Sequence, residues 1–192
     1  ASYTSANTSG GETVIFTGTG NTTVSGAITP SSTTLALTKN GAGTTTLAGN
    51  NVYTGVTTVN AGVLRLNSPN ALPGGIASSG GTSALTLSGF GVLGLGNGDF
   101  ERGTGTGVTQ VQWSGSGGYA AYGADRAADL GGAGATVTWN AGDFVTTGST
   151  LVFGATDATH TLDFQNPINL GSGARTIQVN DGAAAVDATL SG

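Results

Sequence analysis

Apolar and polar positions alternate along the chain in bursts of three to five residues. Alternation with a period of two is typical of β-strands that bury one face. Nearly every burst is bounded by Gly, Asn or Asp, residues that tolerate the positive φ angles of tight turns. The pattern therefore predicts many short strands joined by turns, with bursts at Val14-Ile15-Phe16, Leu35-Ala36-Leu37, Thr57-Thr58-Val59, Val63-Leu64-Arg65-Leu66 and Leu85-Thr86-Leu87.

One stretch, residues 120–130, has the composition of a helix former. Gly123 interrupts it, and its apolar positions are mostly Ala, which has little surface to bury. We expect this stretch to form a loop or a single helical turn.

The bursts recur at a nearly constant interval. Leu37, Leu47, Thr57 and Leu66 follow one another at intervals of ten, ten and nine residues. Equal spacing with turns of changing composition indicates a structural repeat. Three strands per coil give 29 residues per coil and about six or seven coils in the 192 residues, or a rod roughly 30 Å long. The spacing predicts a parallel β-solenoid, with a Gly-rich β-sandwich or jelly roll as the alternative.

Composition and charge narrow the functional classes. The 192 residues include 36 Gly and 4 Pro, only 8% are charged, and the formal net charge is −5. Mean hydropathy is +0.09 and the isoelectric point lies near 4.3. The five basic residues are spread along an acidic chain. They therefore do not form the basic patch that binds a nucleic-acid backbone or an anionic membrane. Nucleic acid is therefore excluded as a partner.

Absent residue types exclude further chemistry. The chain has no Cys and no Met, so a disulfide framework, a thiol nucleophile and a thiolate metal site are not available. It has no apolar run near the roughly 20 residues of a membrane span. Without a charged or Pro-rich linker, residues 1–192 read as one β-solenoid body. The start at Ala1 without a leader suggests a segment of a larger, processed protein.

Residues 35–66, LALTKNGAGTTTLAGNNVYTGVTTVNAGVLRL, resemble the passenger-associated transport repeat of autotransporters. The family pattern is an apolar strand, Lys, a Gly-x-Gly-Thr turn, Leu-x-Gly, Asn, Tyr-x-Gly, Thr-x-Val, an Ala-Gly turn and Leu-x-Leu. The pattern is met by Lys39, Gly41, Gly43, Thr44, Leu47, Gly49, Asn51, Tyr53, Gly55, Thr57 or Thr58, Val59, Ala61, Gly62, Leu64 and Leu66.

The resemblance implies a right-handed parallel β-helix that is exported across an outer membrane. It also implies a place on the bacterial cell surface or in the extracellular space, as a stalk or an adhesin passenger. Autotransporter passengers belong to the type V secretion pathway.

Two charged groups are candidates for chemistry. His160 lies between Asp157 and Asp163 and could carry a proton, but no nucleophile accompanies it by motif, so we expect a structural histidine. Asp99 and Glu101 point to the same face if they lie on a strand, and could bind a hard cation. With Arg102 they are the candidate site of a polysaccharide lyase, against the alternative of a charged turn.

A third group is a candidate glycan site. Tyr119 and Tyr122, with Asp125 and Arg126, could form a shallow platform on which sugar rings stack, with Asp129 nearby. The alternative is a loop that packs back onto the rod through its tyrosines. Trp113 and Trp139 are expected in the wall or the core, because they lie in strand-like stretches.

The function predicted from these observations is a structural, non-enzymatic β-helical segment of a secreted bacterial surface protein, such as a stalk, adhesin passenger or fibre subunit. The alternatives are a polysaccharide lyase or hydrolase, and a glycan-binding module. No cofactor and no catalytic residue are expected. Because neither end has an obvious cap and residues 1–11 suffice only for a flap, we expect end-to-end contact with further coils or with copies of the chain. A surface glycan or host receptor is a further candidate partner.

Overall fold

The computed structural model of the protein describes residues 3–4, 10–31, 34–132 and 134–192. These residues form strands and turns without any α-helix, and so contain no helix of the length and apolarity that crossing a membrane requires. Most of the flap predicted at residues 1–11 lies outside the described residues. In chain order the strands are β1 (Tyr3–Thr4), β2 (Glu12–Phe16), β3 (Thr22–Val24), β4 (Ile28–Thr29), β5 (Leu35–Lys39), β6 (Thr44–Leu47), β7 (Thr57–Val59), β8 (Val63–Leu66), β9 (Leu85–Leu87), β10 (Gly91–Leu95), β11 (Val111–Trp113), β12 (Gly117–Ala121), β13 (Arg126–Ala128), β14 (Val137–Thr138), β15 (Thr150–Phe153), β16 (Leu162–Phe164), β17 (Ile168–Asn169), β18 (Thr176–Val179) and β19 (Ala188–Leu190).

The strands stack into long parallel sheets. The first sheet has seven strands in the order β3-β6-β8-β10-β12-β15-β18, and the second has five in the order β2-β5-β7-β9-β11. A third side carries β13-β16-β19, and two strand pairs, β1-β4 and β14-β17, complete the described topology.

The fold is a parallel β-helix, as predicted. All pairings between these named strands are parallel, and neighbours in a sheet come from different turns of the chain. Seven strands in the longest sheet correspond to a rod roughly 30 Å long, at ~4.8 Å per strand. The alternative of a β-sandwich or jelly roll is wrong, because those folds pair their strands antiparallel.

The predicted coil of three strands and 29 residues is wrong for the first half of the chain. Leu37 pairs with Thr57, only 20 residues later, and Leu47 pairs with Leu66. The ten-residue intervals therefore alternate between two sheets instead of running round three. Later coils are longer, since Gly117 pairs with Leu151. Spacing alone does not show which bursts stack, because irregular backbone can turn a corner without forming a strand.

The expected loop or helical turn at residues 120–130 is also wrong. The first two residues complete β12, and β13 follows after a turn at Gly123, where φ is +75°. β13 pairs with β16 of the next coil. Pairing with neighbouring coils satisfies the main chain in this stretch and outweighs the weak helix propensity of its alanines.

The core is built from ladders of inward residues in register. Leu64, Leu93, Tyr119 and Phe153 occupy equivalent positions on four successive strands of the first sheet, and all four are fully buried. Aromatic rings dominate the C-terminal half, with Phe144 packed edge-on against both Trp113 and Trp139. Both tryptophans are buried, as predicted.

Replacing Leu93 with Ala should lower the free energy of unfolding by about 2 to 5 kcal/mol, because it opens a cavity in the middle of a ladder. Urea denaturation followed by tryptophan fluorescence measures the change. Val108→Ala is the control, since Val108 is 53% exposed and should change stability by less than about 0.5 kcal/mol. Equal effects of the two changes would contradict this ladder.

Candidate functional site

The lysine of the candidate repeat is buried rather than exposed. Lys39 ends β5, and its Nζ donates to the carbonyl oxygens of Gly41 and, over 3.2 Å, Ala61. These oxygens belong to equivalent turns of adjacent coils. Burial lowers the pKa of Lys39. The side chain therefore joins two corners of the solenoid.

The glycines of the repeat allow close approach between coils. A Cβ on Gly41 would overlap the carbonyl oxygen of Gly18 in the preceding coil, and one on Gly49 would overlap that of Gly26. Any larger residue at these positions would push the coils apart, so the sequence requires Gly there.

Asn51 connects three coils at one corner. Its Oδ1 accepts a hydrogen bond of 2.8 Å from the main-chain N–H of Ile28, and its Nδ2 donates one of 2.7 Å to the carbonyl oxygen of Ala71. The side chain is buried. It satisfies main-chain groups that would otherwise lack partners away from water.

Hydroxyl groups form a second buried chain of contacts. The Tyr53 hydroxyl lies 2.9 Å from Thr57 Oγ1, which lies 2.8 Å from Ser83 Oγ. Ser83 Oγ lies 2.7 Å from the carbonyl oxygen of Gly55 and donates to it. Burial raises the pKa of Tyr53, so its hydroxyl stays protonated at neutral pH. These characteristic residues of the candidate repeat contact the interior or an adjacent coil, so their motif specifies packing.

The predicted lyase group does not come together. Asp99 and Glu101 are exposed on either side of the buried Phe100, so the two carboxylates share the outer face, as expected for a strand. Arg102, however, is fully buried on the inner side. The expectation that Arg102 acts beside these carboxylates is wrong, because successive residues of extended backbone point to opposite faces.

Arg102 instead binds main-chain oxygens in the interior. Nε donates to the Gly75 carbonyl over 3.1 Å, and Nη1 donates to that of Ser83 over 2.6 Å. Nη2 reaches the carbonyl of Pro73 over 3.3 Å. Burial lowers the pKa of Arg102 to about 10, which still leaves the guanidinium charged at neutral pH. Through these hydrogen bonds, Arg102 holds the long connection between β8 and β9 in place.

The carboxylates of the predicted cation site, Asp99 and Glu101, have few other metal-ligating side chains near them. Asp99 Oδ1 accepts a hydrogen bond of 2.9 Å from the main-chain N–H of Ala127. Within the described part of the chain, no three His, Cys, Asp or Glu side chains are grouped so that they could hold a metal ion. A cation bound by Asp99 and Glu101 stays a prediction.

The exposed tyrosine platform is not formed. Tyr119 lies in the core, with its ring centroid 4.9 Å from that of Phe100 and 5.9 Å from that of Trp113. Tyr122 is also buried, but on the outer face of the first sheet. Residues three apart on extended chain point to opposite faces, so the two rings cannot form one surface.

The charged partners of the predicted platform bind main chain of other coils. Asp125 Oδ1 accepts from the N–H of Thr161 over 3.0 Å, and Arg126 Nη2 donates to the carbonyl of Gly96 over 3.3 Å. Both contacts fasten turns of adjacent coils. Because Tyr122 is buried against the rod, the alternative interpretation, a loop that packs back onto the rod, fits this residue better than an exposed platform.

His160 has a local partner. Its Nδ1 lies 2.8 Å from Thr159 Oγ1, and its backbone forms an antiparallel bridge with Ala121. Among the described contacts, neither Asp157 nor Asp163 bonds to the imidazole. The interpretation of His160 as a structural histidine stays a prediction.

A polar cluster that the sequence did not predict lies on the outer face of the first sheet. Asp157 accepts a hydrogen bond of 2.5 Å from the Tyr122 hydroxyl and one of 2.6 Å from Thr44 Oγ1. The guanidinium of Arg65 lies 4.7 Å from the centre of the Tyr122 ring. No sequence signal could identify this cluster, because Thr44 and Asp157 are separated by 113 positions.

One cleft on the surface is formed by uncharged residues. It has a volume of about 440 Å³ and is lined by the turn at Thr104, the segment around Thr138 and Phe144. It contains none of the predicted site residues. Its lining offers hydroxyl and main-chain groups but no charged side chain.

Comparison with known families identifies the repeat. The family model of the passenger-associated-transport-repeat matches residues 37–66, so this segment is an autotransporter passenger repeat. The predicted passenger repeat is thereby confirmed over residues 37–66. Searches of curated proteins and of solved structures gave no match. The family implies secretion to the cell surface.

Replacing Arg102 with Met should lower the free energy of unfolding by at least about 3 kcal/mol, because several buried carbonyl oxygens lose their donor. Urea denaturation tests this. Arg175→Met is the control, since Arg175 bonds the carbonyls of Leu170 and Ser172 at the exposed surface. Its loss should cost less than about 1 kcal/mol. Similar losses for the two variants would show that Arg102 does not fix the interior.

Proposed function

We propose that the protein is a non-enzymatic β-helical segment of a bacterial surface passenger and serves as a rigid stalk. The observation that carries the proposal is the passenger repeat at residues 37–66, whose strands continue into the seven-stranded parallel sheet. A continuous stack of coils resists bending, because each coil is bonded to the next along several sides. Such a body suits a spacer between a cell surface and whatever the passenger presents.

The use of charged side chains supports a structural role. Most described cations and several carboxylates bond main-chain groups at corners of the solenoid, which leaves few of them free for catalysis. Enzyme sites instead need acids and bases that face substrate. The cations that donate to carbonyls are Lys39, Arg102, Arg126 and Arg175, and the carboxylates that accept from N–H groups are Asp99, Asp125, Asp129 and Asp187.

Labelling of intact bacteria that make the native protein tests the surface location. We expect antibodies against residues 10–192 to label unbroken cells, and externally added protease to remove the label. An outer-membrane lipoprotein that faces the periplasm serves as the control and should stay unlabelled. Labelling that appears only after the cells are permeabilised would refute the proposed function.

The last coil exposes residues whose partners in the preceding coil are interior. Ile177 stacks on Leu151, Val179 on Phe153 and Leu190 on Phe164. The inner partners are buried, whereas Ile177, Val179 and Leu190 are 40%, 52% and 49% exposed. Among the described residues, β18 is also the terminal strand of the first sheet, and the edge of a sheet is a template for another strand.

This end face fits another parallel coil with apolar inward residues. In the longer passenger that we propose, the next coil of the chain occupies it. In the isolated 192-residue chain, the occupant is the opposite end of a second copy. Such a head-to-tail contact need not close, so it can extend into filaments.

The isolated chain should therefore associate end to end as its concentration rises. Light scattering from the low micromolar to the millimolar range measures this, and Val179→Asp with Leu190→Asp should reduce the association at least tenfold. Val108→Asp, at an exposed position away from the end face, is the matched control. A monodisperse monomer at every concentration would rule out association through this face.

A further inference from the structure

A short segment crosses the outside of the rod. Residues 154–160, here called the strap, leave the first sheet directly after β15 and return beside β12. At its start, the N–H of Gly154 donates to the carbonyl of Tyr119 over 2.9 Å. At its end, Thr159 donates to the carbonyl of Ala121 over 3.2 Å, and His160 forms an antiparallel bridge to the same residue. Both ends of the strap are thus fixed to one strand.

The strap covers an apolar stripe. Val63, Val92, Ala120 and Val152 lie on β8, β10, β12 and β15, in a cluster separate from the interior core, and all four are buried. Ala155 and Ala158 of the strap belong to the same cluster, as does Tyr122. The stripe crosses four neighbouring strands, so the strap contacts coils on both sides of its own attachment.

Tyr122 lies along the same face, next to the apolar stripe. A Cβ on Gly94 would lie 2.8 Å from Cε2 of the Tyr122 ring, so Gly at this position makes room for the ring. Arg65, on the next strand, packs against the ring at 4.7 Å. The tyrosine therefore reaches from β12 across β10 to β8.

The tip of the strap is held by Asp157. One carboxylate oxygen accepts from the Tyr122 hydroxyl, and the other accepts from Thr44 Oγ1 on β6, within the passenger repeat. Burial and the adjacent Asp157 carboxylate raise the pKa of Tyr122, so the hydroxyl remains a donor at physiological pH. Hydrogen bonds to a charged acceptor are the stronger kind.

The hydrogen bond between Asp157 and Thr44 joins coils that are not neighbours, which is unusual in a solenoid. In a stack of coils each coil contacts only its neighbours, so stability is a sum of local terms and the array can open in parts. Between β6 and β15 lie β8, β10 and β12. We propose that the strap is a clasp that couples the passenger repeat to the C-terminal coils, so that they open together. The clasp acts within the described residues and does not depend on where the protein is located.

Hydrogen exchange of the native chain, followed by mass spectrometry, tests the coupling. In the wild type, peptides from residues 35–66 and 111–128 should show the same opening equilibrium in their slowest-exchanging amides. In Asp157→Ala, residues 35–66 should exchange at least tenfold faster, because hydrogen bonds to charged groups are worth about 1.5 to 3 kcal/mol. Residues 111–128 should keep their exchange rate within about threefold. Tyr122→Phe, which keeps the ring, should shift the same peptides in the same direction by a smaller factor.

Asp99→Ala is the matched control. Asp99 is also an exposed carboxylate, but its described bond joins only adjacent coils, through the N–H of Ala127. The Asp99→Ala substitution should leave the exchange rate of residues 35–66 within about threefold of the wild-type rate. The clasp is refuted if residues 35–66 already open independently in the wild type, or if Asp157→Ala and Asp99→Ala change their exchange equally. If Asp157→Ala does not fold, Tyr122→Phe decides by the same criterion.

Discussion

Parallel main-chain pairing between successive coils is the constraint on which the rest of the structure depends. It holds the coils at a fixed spacing of ~4.8 Å, so each inward side chain stacks directly on its equivalent in the next coil. The ladder of Leu64, Leu93, Tyr119 and Phe153 follows from this spacing. So does the requirement for Gly where coil corners come too close for a side chain, as at Gly41.

At the corners of the solenoid the main chain turns away from the sheets, so its polar groups lose the hydrogen-bond partners that a neighbouring strand would supply. Buried side chains supply the missing bonds. Lys39 and Arg102 donate to carbonyl groups, while Asn51 and Asn166 both donate and accept. A chain with only 8% charged residues thus uses many of them inside or between coils.

The strap adds a contact of a different kind. Coils linked only to their neighbours can separate at any weak point, whereas Asp157 joins strands that three others separate. A stalk that bears load along its axis would benefit from such a link, because local opening of one coil would also have to break contacts several coils away. The strap also removes Val63 and Val92 of the apolar stripe from water.

Several features of the protein could be predicted from the sequence, because they depend on local pattern. Period-two alternation indicated strands, and the motif from Lys39 to Leu66 indicated the passenger repeat and its parallel β-helix. Burial of Trp113 and Trp139 also followed from their position in strand-like stretches. Each of these inferences needs only residues that are close together in the chain.

Only the tertiary structure decided which bursts stack and where the charged residues point. Leu37 pairs after 20 residues rather than 29, because the early coils turn a corner without a strand. The candidate site residues Arg102 and Tyr119 turn inward since neighbouring coils supply their surroundings. The partners Thr44 and Asp157 are 113 residues apart, and a contact created by folding over that separation leaves no spacing in the sequence.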